Sequence, residues 1–298
     1  MTFATAGYSD QETALRLTKF LGTETDLVVW QTALDHFRQI YDKFSDNVDD
    51  VVLLKNYILP KINSALDLIK FSHPEGEKGT NVTLRALLLN WACSFEDSRC
   101  VDFAQEKFQE WLDQNGYLPT TIPGDYQQLI YCTAVAIPKV GTTPSDFILG
   151  KYKAEINSVH KTRLLSSLSC LKEDAKLQIL LKDITNPGND FVEADRTSFL
   201  KNLANSINER RITLEFLMNN FEGNDFVTSQ IMATFFTALS SSVLGDETVA
   251  EIEAFISKHA AALAPVSATL DTAIAQMKLQ NEWYTSGGAR ILDWFRTN

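Results

Sequence analysis

The sequence predicts an all-α fold, and three observations carry that reading. Glycine and proline are scarce, 13 and 8 of 298 residues. That is about 7%, against a usual share of roughly 12%. Sandwiches, barrels and propellers need a turn every ~8–12 residues, and the chain is short of the residues that make them. Apolar residues recur at intervals of three and four along most of the chain, the spacing of one helix face. No segment sustains period-two alternation with β-branched residues. The stretches 51–54 and 177–181 are apolar enough for buried strands, but both lie inside longer helical patterns.

The elements follow in order. Ser9-Asp10-Gln11-Glu12 has the form of a capping box, and the helix it opens runs to Phe20-Leu21, with Gly22 as its C-cap. Leu27, Trp30, Leu34, Phe37, Tyr41 and Phe44 make the face of the next helix. Val51, Leu54, Ile58, Ile62, Leu66 and Ile69 make the one after, with a kink or break expected at Pro60. The polar stretch Ser72 to Gly79 is the clearest early loop. Leu84, Leu88 and Trp91 form the following face, and Val101, Ala104, Phe108, Trp111 and Leu112 the next. Pro119 and Pro123-Gly124 then punctuate the chain. Helical patterns continue near 125–137, 145–156, 159–170, 173–185, 195–206, 210–220, 226–242 and 246–262, and a long last helix covers 265–295. Short loops between these helices predict stacked helix pairs, an α-solenoid of the HEAT or armadillo kind. No motif repeats at a fixed period, so the repeats are structural. Such an array lets residues 1–298 form one domain, where length alone suggests two.

Composition excludes several functions. With 27 basic and 38 acidic residues the net charge is −11, which repels phosphate backbones and anionic membranes; no nucleic-acid partner is expected. The four histidines, His36, His73, His160 and His259, are scattered, and no H-E-x-x-H zinc motif is present. G-x-x-x-x-G-K-[ST], G-x-G-x-x-G and G-x-S-x-G are absent too. Phe226 to Gly245 is uncharged and long enough to span a bilayer, but it carries eight Ser, Thr or Gln residues and reads as a soluble helix. No membrane span is expected. The N-terminus lacks the charged start and apolar run of a signal peptide, and no hydrophobic tail follows for lipid anchoring.

Six residues separate Cys93 from Cys100, at the end of one predicted helix and the start of the next, where a helical hairpin brings them within bridging range. Cys132 and Cys170 lie on two later helices. Two disulfides, four buried thiols and a Cys₄ zinc site are the alternatives, although the C-x₂₋₄-C pairs of structural zinc are missing. Asn81-Val82-Thr83 is the one N-x-[ST] sequon, placed beside the polar loop where a glycan can be exposed. Asp46-Asn47-Val48-Asp49-Asp50 is an acidic cluster. It reads as capping of a helix N-terminus, with a magnesium-binding role for Asp46, Asp49 and Asp50 as the lesser alternative. Arg210-Arg211 reads as solvated or salt-bridged surface. Trp30, Trp91, Trp111, Trp283 and Trp294 fit apolar helix faces and read as core.

Several of these segments resemble the C-terminal helical domain of the zinc aminopeptidase N family, the group that includes the endoplasmic-reticulum aminopeptidases. Ala14-Leu15-Arg16-Leu17-Thr18-Lys19-Phe20-Leu21, with Glu24, Asp26 and Trp30 after it, is similar to the family's ALxLTxYLxxExDYxxW opening. Ala92-Cys93 to Cys100, then Ala104, Phe108 and Trp111, matches its AC-x₆-C…A-x₃-F-x₂-W stretch. Tyr131-Cys132 and Leu168-Ser169-Cys170 match its second cysteine pair, and Asn281-Glu282-Trp283 with Trp294 its closing helix.

The resemblance spans nearly the whole chain, and it implies a bowl-shaped solenoid with bridges Cys93–Cys100 and Cys132–Cys170. The bridges, with a glycan at Asn81, imply an extracellular or cell-surface setting reached by the secretory pathway. The H-E-x-x-H and G-x-M-E-N motifs and the middle β-domain of the family are missing, and Phe3 to Tyr8 resembles the tail of a truncated first helix. Asp195 fits a family Asp, while Glu209 stands where Gly is usual. The implied role is non-catalytic. The domain encloses the active-site chamber of a zinc metallo-aminopeptidase and helps bind and gate peptides. Its partners are the peptide and the parent's catalytic domain, and zinc sits only in that catalytic domain. The alternative is a stand-alone scaffold that binds a protein partner.

Overall fold

Side chains that accept from exposed backbone N–H groups set where several helices begin. The computed structural model describes residues 11–72, 77, 79–114, 122–186, 188, 191–206, 209–222 and 227–298. Asp26 accepts from Val28 N at 2.8 Å and Val29 N at 3.2 Å and opens α2 (Leu27–Phe44), which follows α1 (Gln11–Arg16). Asn47 accepts from Asp49 N and opens α3 (Val48–Ile69). Then come α4 (Thr80–Ser94), α5 (Ser98–Asp113), α6 (Gly124–Ala136) and α7 (Pro144–Ala154). Asn157 caps α8 (Ser158–Leu168) through His160 N. Next are α9 (Asp174–Thr185), α10 (Glu193–Ala204) and α11 (Glu209–Asn220). Thr228 caps α12 (Ser229–Leu239). The chain ends with α13 (Gly245–Lys258), α14 (Ala260–Leu263), α15 (Ser267–Trp283) and α16 (Ala289–Thr297). Every regular element among the described residues is helical, so the all-α expectation holds.

The chain forms two compact units. The first comprises the described residues of Met1–Phe103, Thr120–Tyr126 and Trp283–Asn298. Its core is made by the expected faces: Trp30, Leu34, Phe37 and Phe44 from α2, and Leu54, Ile58, Ile62 and Leu66 from α3, are all buried. Arg85, on α4, is fully buried and ties the end of α3 in place. Its guanidinium donates to Ile69 O and Lys70 O, each at 2.7 Å, and to both Glu77 carboxylate oxygens at 2.5 and 3.1 Å. Lys70, where α3 stops, has φ of +66°. The C-terminal segment closes this unit. Trp294 and Phe295 pack on Tyr57 with ring centroids 4.9 and 5.4 Å away, and the Tyr284 hydroxyl donates to Asp50.

The second unit comprises the described residues of Ala104–Pro119 and Gln127–Glu282. In it, alternate helices lie side by side: α8 against α10, α10 against α12, and α9 against α11. That is the arrangement of stacked helix pairs. Trp111 stacks on Tyr131 at 4.7 Å and meets Phe147 edge-on at 4.8 Å. Asn281 accepts from Leu244 N and donates to Asp246, which fastens α15 to the start of α13.

Four details differ from the expected elements. α1 stops at Arg16, and a 3₁₀ turn at Lys19–Thr23 takes up the rest, so Gly22 is not a C-cap. Thr18 bonds Leu15 O and the Tyr57 hydroxyl, which draws the chain out of the helix path. Pro60 does not break α3, which runs on to Ile69 around a buried face; Lys61 Nζ bonds Tyr57 O one turn back. The stretch 246–262 divides at His259, whose ring is buried between Phe221 and Phe255 and bonds Glu222 at 2.7 Å. The last expected helix is interrupted by a π turn at Tyr284–Gly288. A Cβ on Gly287 would lie 2.9 Å from Trp283 Nε1, so this turn fits under the indole only without side chains. The expected capping box at Ser9 and the resemblance at Phe3 to Tyr8 lie outside the described residues.

Candidate functional site

The surface of α10 and α12 in the second unit carries a set of polar side chains around two open cavities. Thr197, Ser198 and Lys201 of α10 fall at helical spacing on one side, with Phe199, Leu200 and Leu203 buried on the other. α12 is divided the same way. Met232, Phe235, Phe236 and Leu239 are buried, while Gln230, Thr234 and Thr237 face outward, with Ser241 just beyond the helix. The polar sides line two open cavities of about 400 and 560 Å³ that share Lys201, and Thr269 of α15 adds to the first. Small side chains leave room there, hydroxyls and carboxamides donate and accept, and Lys201 supplies a positive charge with the Glu193 carboxylate lining the same second cavity. No His or Cys lies among the described lining residues. Together the two cavities form a polar groove with hydrogen-bonding side chains and charges of both signs.

Glu155, at the α7–α8 turn, accepts from Ile156 N, Asn157 N and His160 Nδ1 at 2.5–2.9 Å. The Asn157 N–H and then the His160 ring hold its carboxyl below the usual range. His160 Nε2 lies 3.3 Å from the Tyr131 hydroxyl, whose pKa burial pushes well above normal. This relay joins α6 to α8 inside the second unit.

The sequence-predicted residues fall as follows. Cys93 and Cys100, flanking the α4–α5 turn, have sulfurs 2.06 Å apart and are buried. Cys132 on α6 and Cys170 just after α8 have sulfurs 2.01 Å apart and are half-buried. Asn81 is exposed in the first turn of α4. Of the acidic cluster, Asn47 caps α3, Asp49 and Asp50 lie in its first turn, and Asp50 is buried under Tyr284. The capping reading therefore accounts for the cluster. Arg211 is surface, paired with Glu215 and Glu251 at 2.7 Å. Arg210 is buried, as is Glu209 beside it, which corrects the expectation of a basic surface pair. Glu209 accepts from Ser206 at the start of α11. Trp30, Trp91, Trp111 and Trp294 are buried, and Trp283 is half-buried with Lys43 Nζ 3.9 Å from its ring centroid. Among the described residues no three His, Cys, Asp or Glu side chains gather to hold a metal ion, so these residues do not fit a zinc centre. No helix of the described residues is long and apolar enough to cross a membrane.

These features define an all-α module whose exposed chemistry is a polar groove. The chain matches the family model described as ERAP1-like C-terminal domain over residues 1–279, and it belongs to that family. It is similar to aminopeptidase Q of Homo sapiens, 26% identical over 306 residues, a match covering 98% of this chain and 29% of that protein. Endoplasmic reticulum aminopeptidase 2 of Bos taurus is 25% identical over 218 residues, 72% of this chain and 22% of that protein. Membrane alanyl aminopeptidase of Manduca sexta is 23% identical over 224 residues, 74% of this chain and 22% of that protein. The chain thus spans less than a third of the length of these relatives. Its fold and family are those of an aminopeptidase C-terminal domain.

Proposed function

We propose that this chain is the non-catalytic C-terminal domain of a zinc metallo-aminopeptidase, which encloses the active-site chamber and helps bind and gate peptides. The observation that carries the reading is the family match over residues 1–279. The polar groove supports it. An extended peptide offers backbone N–H and C=O groups along its length, and Thr197 of α10 with Thr234 and Thr237 of α12 offer hydroxyls to meet them. Lys201 pairs with an acidic side chain or a terminal carboxylate of that peptide. The catalytic domain of the parent is the second partner, and zinc acts there. On this reading residues 1–298 form one solenoid domain over the chamber, whose movement admits or retains the peptide. Two bridges, Cys93–Cys100 and Cys132–Cys170, support a setting in the oxidising secretory route, in keeping with the names of the endoplasmic-reticulum and membrane relatives.

Two measurements test this. The purified chain is expected to bind fluorescent peptides, with affinity falling about tenfold in Lys201→Ala, the loss of one charge-assisted hydrogen bond. It is also expected to release nothing from an aminoacyl reporter, with or without added zinc. Zinc-dependent turnover by the chain, or peptide binding indifferent to Lys201, refutes the proposal.

A further inference from the structure

We infer that Asn81 carries an N-linked glycan and that the N-terminal end of α4 is a solvent face. The inference rests on the secretory setting proposed above and adds a modification site to it. The sequon Asn81-Val82-Thr83 lies where a glycan costs the fold nothing. Asn81 is in the first turn of α4, where backbone N–H groups have no intrahelical partner to protect. Asn81 and Thr83 are both exposed, Val82 is half-buried, and the buried face of the helix begins only at Leu84 and Arg85. Gly79, ahead of the helix with φ of +93°, has no atom of the described residues beyond its chain neighbours within 4 Å of where a Cβ would stand.

The packing one turn further in is buried and hydrogen-bonded. Arg85 is held by the carbonyls of Ile69 and Lys70 and by Glu77, and Leu88, Leu89 and Ala92 are fully buried behind it. A glycan therefore projects from a fixed helix end into solvent. Its attachment requires a sugar donor of the lipid-pyrophosphate-linked oligosaccharide class. The Asn81 carboxamide nitrogen forms a bond to the anomeric carbon, and the bond from that carbon to the pyrophosphate oxygen breaks. The lipid pyrophosphate leaves with the electron pair, and the amide proton passes to a base of the transferase. A branched, strongly hydrated sugar at this position prevents any protein partner from packing on the N-terminal end of α4.

The test is peptide mass spectrometry on the protein isolated from its native source, before and after an amidase that removes N-linked glycans and converts the asparagine that carried them to aspartate. The expected result is a heterogeneous glycopeptide containing residue 81, collapsing on treatment to a single peptide with aspartate at that position. Unmodified Asn81 in protein whose cysteines are oxidised overturns the glycan and leaves the secretory reading standing. Unmodified Asn81 together with four free thiols overturns both. Expressed in a secretory host, Asn81→Gln and Thr83→Ala are expected to lose the glycan and Thr83→Ser to keep it, with the thermal midpoint of the deglycosylated protein unchanged in all three. A glycan that survives Asn81→Gln also refutes the assignment.

Discussion

Replacing Arg85 with methionine removes a buried charge at nearly constant side-chain length, and its cost follows from the contacts. The guanidinium is fully buried and makes two 2.7 Å bonds to the carbonyls that end α3, as well as a two-point pair with Glu77, whose side chain is 16% exposed. Removing one partner of a buried ion pair costs about 3–5 kcal/mol, because the other charge stays behind. The carbonyls of Ile69 and Lys70 lose their donor as well, at about 1–3 kcal/mol each where water cannot reach them. Water entering beside Glu77 recovers part of this, so the expected loss is about 4 kcal/mol, read as a lower urea midpoint at unchanged slope. Arg85→Lys should recover less than half of it, since one ammonium cannot serve two carbonyls and a carboxylate in that fork geometry. In a double-mutant cycle, Arg85→Met and Glu77→Gln should couple by more than about 1 kcal/mol. A loss below about 1 kcal/mol in Arg85→Met, or additive single effects, refutes the view that this clamp holds α3 to α4.

The two cysteine pairs should differ in what they contribute. With sequence separations of 7 and 38, loop-closure entropy assigns about 2.4 kcal/mol to Cys93–Cys100 and about 3.9 kcal/mol to Cys132–Cys170. Paired Cys→Ala variants measured by chemical unfolding should keep that order, and a reversed order contradicts the chain-entropy account. At alkaline pH, burial raises the pKa of Tyr57, Tyr126 and Tyr131. A folded-state pKa above the unfolded value of about 10 gives stability that is complete below pH ~10 and lost as pH rises beyond it. Tyrosinate absorbance from these three should therefore appear only together with loss of helical circular dichroism. Their ionisation in a still-folded chain would show that burial is not what restrains them.

The helices were legible because burial imposes the three-and-four spacing directly on the residue order, as in Trp30, Leu34, Phe37 and Phe44. Their interruptions were not. The break at His259 depends on a carboxylate at Glu222 and rings at Phe221 and Phe255, none of which local pattern can place near it. The π turn depends on an indole lying over Gly287 and Gly288, though the Gly-Gly pair was a visible signal. Arg85 and Arg210 were unreadable as buried groups, since an arginine inside an apolar stripe looks like one at its margin until its partners are known. The groove was half legible. The eight Ser, Thr and Gln residues between Phe226 and Gly245 argued against a membrane span, yet the same stretch supplies Gln230, Thr234, Thr237 and Ser241 to the groove wall. What composition could not show was that α10 brings Lys201 alongside them.

The first unit is assembled from segments far apart in sequence. Tyr284 reaches Asp50 across 234 positions, and Lys19 Nζ donates to the Asn298 carboxamide across 279. During synthesis, at ~5–20 residues per second, Tyr57 is made well before Trp294 and Phe295, the two rings that pack on it. The second unit, contributed almost wholly by residues 127–282, is complete first. The first unit therefore cannot complete its packing until Trp283–Asn298 has been made, and until then Tyr57 lacks the two rings that lie on it.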